Sequence, residues 1–218
     1  MAKIKVKKQA TWIDMTAMSD VTVLLLTFFM LTSTFIRPEP IQVTTPSSVS
    51  EYKIPESNLL TILVDSKGKV FFSMDNQFTM LETLTAVGED YGITFTPKQL
   101  NSFKVLTSFG IPIRYMSDFL NLPEDKQMEL LRDLSNAKVG IPSSDEEVRD
   151  GNTIISTDNE FKRWVSHAKK ANPDLQIAIK ADQKTDFPVI KKVMDNLGSL
   201  REYRFLLITS LKASSEEG

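Results

Sequence analysis

One uninterrupted apolar run, Val21 to Ile36, reads VTVLLLTFFMLTSTFI and holds no charge. At ~1.5 Å rise per residue it reaches about 24 Å, short of a ~30 Å hydrocarbon core. Carried back through Met18, Ala17, Met15, Ile13 and Trp12, the pattern predicts a Trp12 to Ile36 helix of roughly 37 Å, long enough to span. Thr16, Asp20, Thr27, Leu31 and Thr34 recur along it at steps of three, four or seven and so share a face. Leu24, Leu25, Phe28, Phe29 and Phe35 cover much of the rest. Four prolines and a Ser/Thr cluster between Arg37 and Pro55 forbid a continuing helix and predict an extended linker. Within it Ile41-Gln42-Val43 alternates as a short strand or docking segment would.

Beyond the linker the periodicity changes repeatedly. Leu59 to Asp65, the tight turn Ser66-Lys67-Gly68-Lys69, and Val70 to Phe72 predict a β-hairpin. Phe78 to Gly88 has helical spacing. Thr96 as N-cap with Pro97 at the first position predicts a helix over Lys98 to Phe109. A short helix is predicted over Met116 to Leu120. A longer one opens at Leu122-Pro123-Glu124 and runs to about Ala137, burying Leu130, Leu131 and Leu134. SSDEEVRDGN reads as a solvated loop. Ser156 to Ala171 is an amphipathic helix with Phe161, Trp164, Val165 and Ala168 on one face, stopped by Asn172-Pro173-Asp174. Leu175 to Ala181 is a strand. Asp186, as N-cap, opens a helix to Leu197 that buries Val189, Ile190, Val193, Met194 and Leu197, with Gly198 as its C-cap. Arg204 to Leu211 is the last strand, and SSEEG a polar tail. Helix, strand, helix and strand after an opening hairpin give a small α/β layer.

Charge and composition sharpen this picture. Lys3, Lys5, Lys7 and Lys8 precede the apolar run with no acid among them, whereas Arg37 and Glu39 nearly balance after it. The positive-inside rule therefore puts the N-terminus in the cytoplasm, with Trp12 as an interfacial anchor and Asp14 at the boundary. A cleaved signal peptide shares the basic head and apolar run, but Asp20 opens the run and IRPEPIQV lacks an A-x-A-like site. A net charge of −2 gives no footprint for nucleic acid. With no cysteine, an exported domain would fold without disulfides. The one histidine, His167, sits in a helix-like stretch and reads as a helix-surface residue. No nucleophile elbow, phosphate loop or metal-ligand cluster is legible, so the chain is not read as an enzyme and no cofactor is expected. The informative group is Asp20, because a carboxylate at mid-bilayer costs roughly 2.5–3.5 kcal/mol on insertion scales. A threonine row aligned with that acid should face protein or water rather than lipid, although each threonine alone could satisfy its own helix backbone.

Ile13 to Thr34, IDMTAMSDVTVLLLTFFMLTST, resembles the signature of the ExbD/TolR family, with Asp14, Thr16 and Asp20-Val21 matching and Ala17 where the family carries proline. Ile177 to Leu197, IAIKADQKTDFPVIKKVMDNL, resembles its periplasmic strand, acid and helix. Leu59 to Phe72 resembles its opening hairpin. Ile41, Val43 and Pro46 resemble its linker motif, with Thr45 in place of leucine. Residues about 80 to 155 exceed the family's usual connection and read as a helical insertion.

The resemblance implies a single N-terminal transmembrane helix plus an α/β periplasmic domain, a small two-layer sheet with packed helices and that insertion. The parts would be a cytoplasmic tail (1–11), the membrane helix (12–36), a periplasmic linker (37–56), the domain (57–212) and the tail (213–218). It implies an inner-membrane, proton-motive-force transducing subunit that energises outer-membrane transport. Its partners would be an ExbB/TolQ-like polytopic protein, forming a pentamer around an ExbD dimer, a TonB/TolA-like protein, a second copy of itself and membrane lipids. Asp20 would carry the proton, since each charge crossing 100 mV releases about 2.3 kcal/mol, a few times RT. A TolR-like subunit of a Tol-Pal type envelope system is the alternative within the family. A passive membrane-anchored binding module is the alternative outside it, and predicts that Asp20 is dispensable. Asp182 and Asp186 could pass for a catalytic pair, but Asp186 reads better as a helix cap.

Overall fold

The computed structural model describes residues 15–32, 41, 43–45, 47–48, 57–146, 148–150, 153–156, 158–208 and 210–211. Trp12, Asp14, Thr34, Pro46 and the 213–218 tail lie outside the described residues. The chain divides into two compact units, residues 1–38 and 39–218. In the first, helix α1 covers Met15–Thr32.

The second unit is built on a four-stranded sheet. β1, Ser47–Ser48, stands apart from it. β2, Leu59–Val64, and β3, Val70–Met74, form the expected antiparallel hairpin, with Leu63 opposite Phe71. The turn between them is made by Asp65, whose Oδ2 accepts the Lys67 amide at 2.9 Å, and by Gly68 at φ 75°. β6, Gln176–Ala181, runs parallel to β2 over its whole length, and β7, Phe205–Leu207, runs parallel to β6. The sheet order is β3-β2-β6-β7. Parallel neighbours need crossovers, and the last of these carries helix α7, Phe187–Ser199.

The long crossover between β3 and β6 holds five helices: α2, Gln77–Asp90; α3, Pro97–Lys104; α4, Ile113–Asn121; α5, Glu124–Arg132; and α6, Glu160–Ala171. Each start has a local cause. Asn76 caps α2 by accepting from Phe78 and Thr79, and Thr96 with Gln99 forms a capping box at α3, with Pro97 just inside. α4 has no capping side chain of its own, and the buried Glu160 of α6 accepts the Ile113 amide at 2.8 Å. Gln127 of α5 is buried, and its Nε2 donates to the carbonyl oxygens of Leu122 and Phe119, satisfying the end of α4. The core centres on Phe72, Phe103, Phe109, Phe161 and Trp164, whose ring centroids lie 4.8–6.5 Å apart in contacting pairs.

The same crossover covers one sheet edge. Phe72 and Phe109 exchange backbone hydrogen bonds of 2.7 and 2.8 Å, and the Ile141 amide donates to Val70 O at 2.8 Å. Gly110 makes this approach possible, since a Cβ there would fall 2.1 Å from the ring of Phe71.

Several boundaries differ from expectation. The Thr96-capped helix ends at Lys104 rather than Phe109, because Phe109 is drawn into the pairing with Phe72. The helix opened at Glu124 ends at Arg132 rather than Ala137; Asp133 turns the chain there, its carboxylate accepting the Ser135 amide and hydroxyl. Leu131 is buried, whereas Leu130 and Leu134 are half-buried against the core. SSDEEVRDGN is not a plain loop. β4, Val148–Asp150, pairs antiparallel with β5, Thr153–Ser156. α6 therefore starts at Glu160, after its cap Asn159, and not at Ser156. Phe161, Trp164, Val165 and Ala168 are all buried, as their spacing predicts.

In α7, Val193 and Leu197 are buried, Val189 and Ile190 half-buried, and Met194 is 36% exposed. Gly198 lies within the helix, and Arg201 takes the left-handed conformation after it at φ 63°. Asp186 occupies the N-cap position without a side-chain cap bond. The last strand is split. β7 joins the sheet, and β8, Ser210–Leu211, pairs in parallel with β1.

Candidate functional site

α1 is long and apolar enough to cross a membrane. Its 18 residues rise about 27 Å, and Asp20 is its only charge. None of its side chains is buried, and Leu24, Phe28 and Phe29 are all more than half exposed. In water such a surface would be strongly unfavourable, so the helix needs lipid or protein around it. Asp20 lies in its second turn and shares a face with Thr16, Thr27 and Leu31. The threonine hydroxyls are partly turned inward. Thr27 donates to Leu24 O at 2.9 Å, Thr22 to Ser19 O at 2.8 Å and Thr32 to Phe28 O at 2.8 Å. Thr22, Thr27 and Thr32 thus bond their own helix, and the distinctive polar group on the Asp20 face is the carboxylate itself.

In the second unit the linker residues have a definite place. Ile41 is 4% exposed and joins the core, and Val43 packs against it. The Thr44 amide donates to Asp182 Oδ2 at 3.0 Å, and the Gln183 amide donates back to Thr44 O at 2.8 Å. Asp182 also accepts the Lys184 amide at 2.9 Å, which shapes the turn after β6. A carboxylate that could pass for half a catalytic pair is therefore a clamp on the linker. The Lys184 contact is an Asx-turn pattern legible in Asp182-Gln183-Lys184; the partner at Thr44 is not, because it lies 138 residues away.

A polar network joins α2 to α6. His167 Nε2 lies 2.8 Å from Asp90 Oδ2, and Arg163 reaches Asp90 at 3.2 Å and Asp158 at 2.5 Å. Tyr91 donates its hydroxyl to Asp158 at 2.5 Å beneath the Arg163 guanidinium. His167 is thus a half-buried tie between helices rather than a free surface residue. Its hydrogen bond, opposed by some burial and helped by Arg163, holds the Asp90 carboxyl below its ordinary value. Burial, then the Asp158 carboxylate, pushes the Tyr91 phenol far above the usual tyrosine range. Both effects favour the existing hydrogen bonds, keeping the Asp90 carboxyl ionised and the Tyr91 phenol protonated. Among the described residues, no three His, Cys, Asp or Glu side chains come together to hold a metal ion.

An apolar helix carrying one carboxylate, followed by a small mixed sheet with packed helices, defines a class of protein with a candidate single membrane span and an α/β domain. Comparison with known families makes this specific. Residues 7–94, less than half of the chain, match the model of the biopolymer transport protein ExbD/TolR family, a stretch that takes in α1, the opening hairpin and α2. Comparison with curated proteins gave no match, and comparison with solved structures gave none. Proteins of this family are non-enzymatic inner-membrane subunits of complexes that energise biopolymer transport, working with membrane partners of the ExbB/TolQ and TonB/TolA type.

Proposed function

We propose that this chain is the proton-motive-force transducing subunit of an ExbB–ExbD–TonB-type inner-membrane motor, and that Asp20 carries the proton. The observation that carries this reading is the position of Asp20. It is the one ionisable group on an apolar helix that lies wholly inside the stretch matched by the family. A polytopic partner would wrap the exposed surface of α1. Protonation would then alter the cost of holding Asp20 against one partner surface rather than another, and 100 mV acting on one charge supplies about 2.3 kcal/mol per step. The lysine-rich N-terminus would lie in the cytoplasm and the α/β domain in the periplasm, where a TonB-like protein can be reached. The family match supports a TolR-like role in a Tol-Pal type system by the same residues.

The test is Asp20→Asn, which is nearly isosteric and still hydrogen-bonds but cannot ionise. The variant should insert, assemble with its partner and keep the soluble fold, while energy-dependent uptake falls to background. Asp20→Glu should keep partial activity at best. Near-normal uptake by an assembled Asp20→Asn complex would falsify the proton-carrier reading.

A further inference from the structure

The parallel strands β6 and β7 begin at the same end of the sheet, each reached through a turn, residues 172–175 before β6 and 200–204 before β7. Between the two turns lies an open cleft of about 720 Å³, lined by Asp174 and Gln176 on one wall and by Arg201, Tyr203 and Arg204 on the other. That volume is within the range of small-ligand sites. Lys169 of α6 joins the walls. Its ammonium donates to Pro173 O at 3.3 Å and to Leu175 O at 2.9 Å, and lies 3.6 Å from the Glu202 carboxylate. The walls are therefore tied together in the folded chain, and the charge of Glu202 is already balanced.

The second wall holds its arginine against local preference. At the end of α7 the Arg201 amide donates to Gly198 O and the Glu202 amide to Leu197 O, both at 3.0 Å. This closing pattern puts residue 201 in the left-handed region, where glycine is the ordinary occupant because a Cβ is strained there. The chain keeps an arginine at φ 63°, and its side chain is exposed and makes no hydrogen bond or ion pair among the described residues. Apart from the charge it brings near the helix C-terminus, nothing inside the molecule offsets that strain. Arg204 is likewise exposed and without an ion pair among the described residues, and Tyr203 between them is 74% exposed. On the first wall the Asp174 carboxylate and the Gln176 amide are exposed, and neither has a side-chain partner among the described residues.

The two walls ask for different groups. Guanidinium forks take carboxylates in two-point contacts. A carboxylate and an amide oxygen take N–H donors, and the tyrosine ring offers flat apolar surface. A bare anion would satisfy the arginines but be repelled by Asp174, whereas a peptide carries carboxylates and N–H groups together. We propose that this cleft binds an acidic peptide segment, with its carboxylates on Arg201 and Arg204 and its N–H groups toward Asp174 and Gln176. The site lies wholly within residues 169–206 and does not depend on α1 or on the role of Asp20.

The test titrates the full chain, in a neutral detergent, with a tetraglutamate peptide blocked at both ends and with its tetraglutamine counterpart. The glutamate peptide should bind and the glutamine peptide should not. Arg201→Gly and Arg204→Gln should each weaken binding about tenfold or more, as expected for loss of a charge-assisted pair. Lys98→Gln, on the exposed surface of α3 and outside the cleft, should leave binding unchanged. Arg201→Gly should also hold or raise the denaturant midpoint, because glycine relieves the left-handed residue. Its loss of binding would then not be a loss of fold.

The site is overturned if the wild-type chain does not bind the glutamate peptide, or binds both peptides equally. Equal weakening by Lys98→Gln would mean diffuse charge attraction and would overturn it too. So would unchanged binding in either arginine variant, which would leave Arg201 no role beyond the end of its own helix. Displacement of the peptide by inorganic phosphate at equal concentration would overturn the peptide assignment in favour of a simple anion. None of these outcomes bears on energy-dependent uptake by the Asp20 variants, so the cleft and the proton-carrier reading stand or fall separately.

Discussion

At the scale of single residues, the tightest constraint is Gly110. Its missing Cβ would sit 2.1 Å from Phe71 Cδ1, and Phe71 is fully buried among the core side chains. Neither the ring nor the backbone pairing beside it at Phe109 can yield cheaply. Gly110→Ala should cost about 3 kcal/mol or more, at or beyond the upper end of ordinary overpacking, read as a lower denaturant midpoint. Asp90 gives a pH-dependent counterpart. Its folded value lies below the ordinary 3.8, so its contribution is present above that value and lost as pH falls through the folded value. Wild-type stability should therefore decline from about pH 5 to about pH 3 more steeply than that of Asp90→Asn, whose amide does not titrate. Parallel acid-denaturation curves would show that the His167 contact adds nothing. The core face of α6 was legible because Phe161, Trp164, Val165 and Ala168 follow one period. Asp90, Arg163 and His167 were not legible as a cluster, since Asp90 lies 73 and 77 residues from its partners.

At the scale of elements, boundaries with a local signal were easier to read than those without. Thr96-Pro97 starts one helix and Asn172-Pro173 ends another within a single turn, so their effect is written locally. The end at Lys104 depends on Phe109 being taken by Phe72, which no window around Lys104 contains, whereas the end at Arg132 has a local cause in Asp133, whose carboxylate accepts from Ser135. The hairpin of β4 and β5 had a local signal, Asp150-Gly151-Asn152 between Val148 and Thr153-Ile154-Ile155, outweighed by the charges before it. Gln127 links α3, α4 and α5, because its Nε2 also reaches Ser102 Oγ at 2.9 Å. Gln127→Leu keeps the volume but removes the donor to the Leu122 carbonyl oxygen and one of the two donors to that of Phe119. It should destabilise by about 1–3 kcal/mol and accelerate amide exchange through both Ile113–Asn121 and Glu124–Arg132. A change confined to α5 would mean that the three helices are not joined through this amide.

At the scale of the whole molecule, the matched stretch and the folded unit do not coincide. The match ends at residue 94, yet β2 lies between β3, inside it, and β6, beyond it. The opening hairpin therefore completes its sheet only with residues some hundred positions further on, and the intervening helices must fold with it rather than as a separate module. The apolar helix poses the opposite problem, since none of its residues is buried and its surface must be divided between lipid and protein by sequence alone. Asp20, Thr16 and Thr27 mark one side; Leu25 and Phe28 lie on other parts of the circumference. If the Asp20 side faces a polytopic partner, single cysteines at Thr16 and Thr27 should cross-link to that partner in native membranes, while cysteines at Leu25 and Phe28 should not. The cysteine-free chain makes each position a clean probe. Yields that rise and fall with the helical period would assign the carboxylate to a protein interface. Equal yields at all four positions would mean that α1 turns freely in its surroundings or is wholly enclosed, and that its polar side carries no orientation.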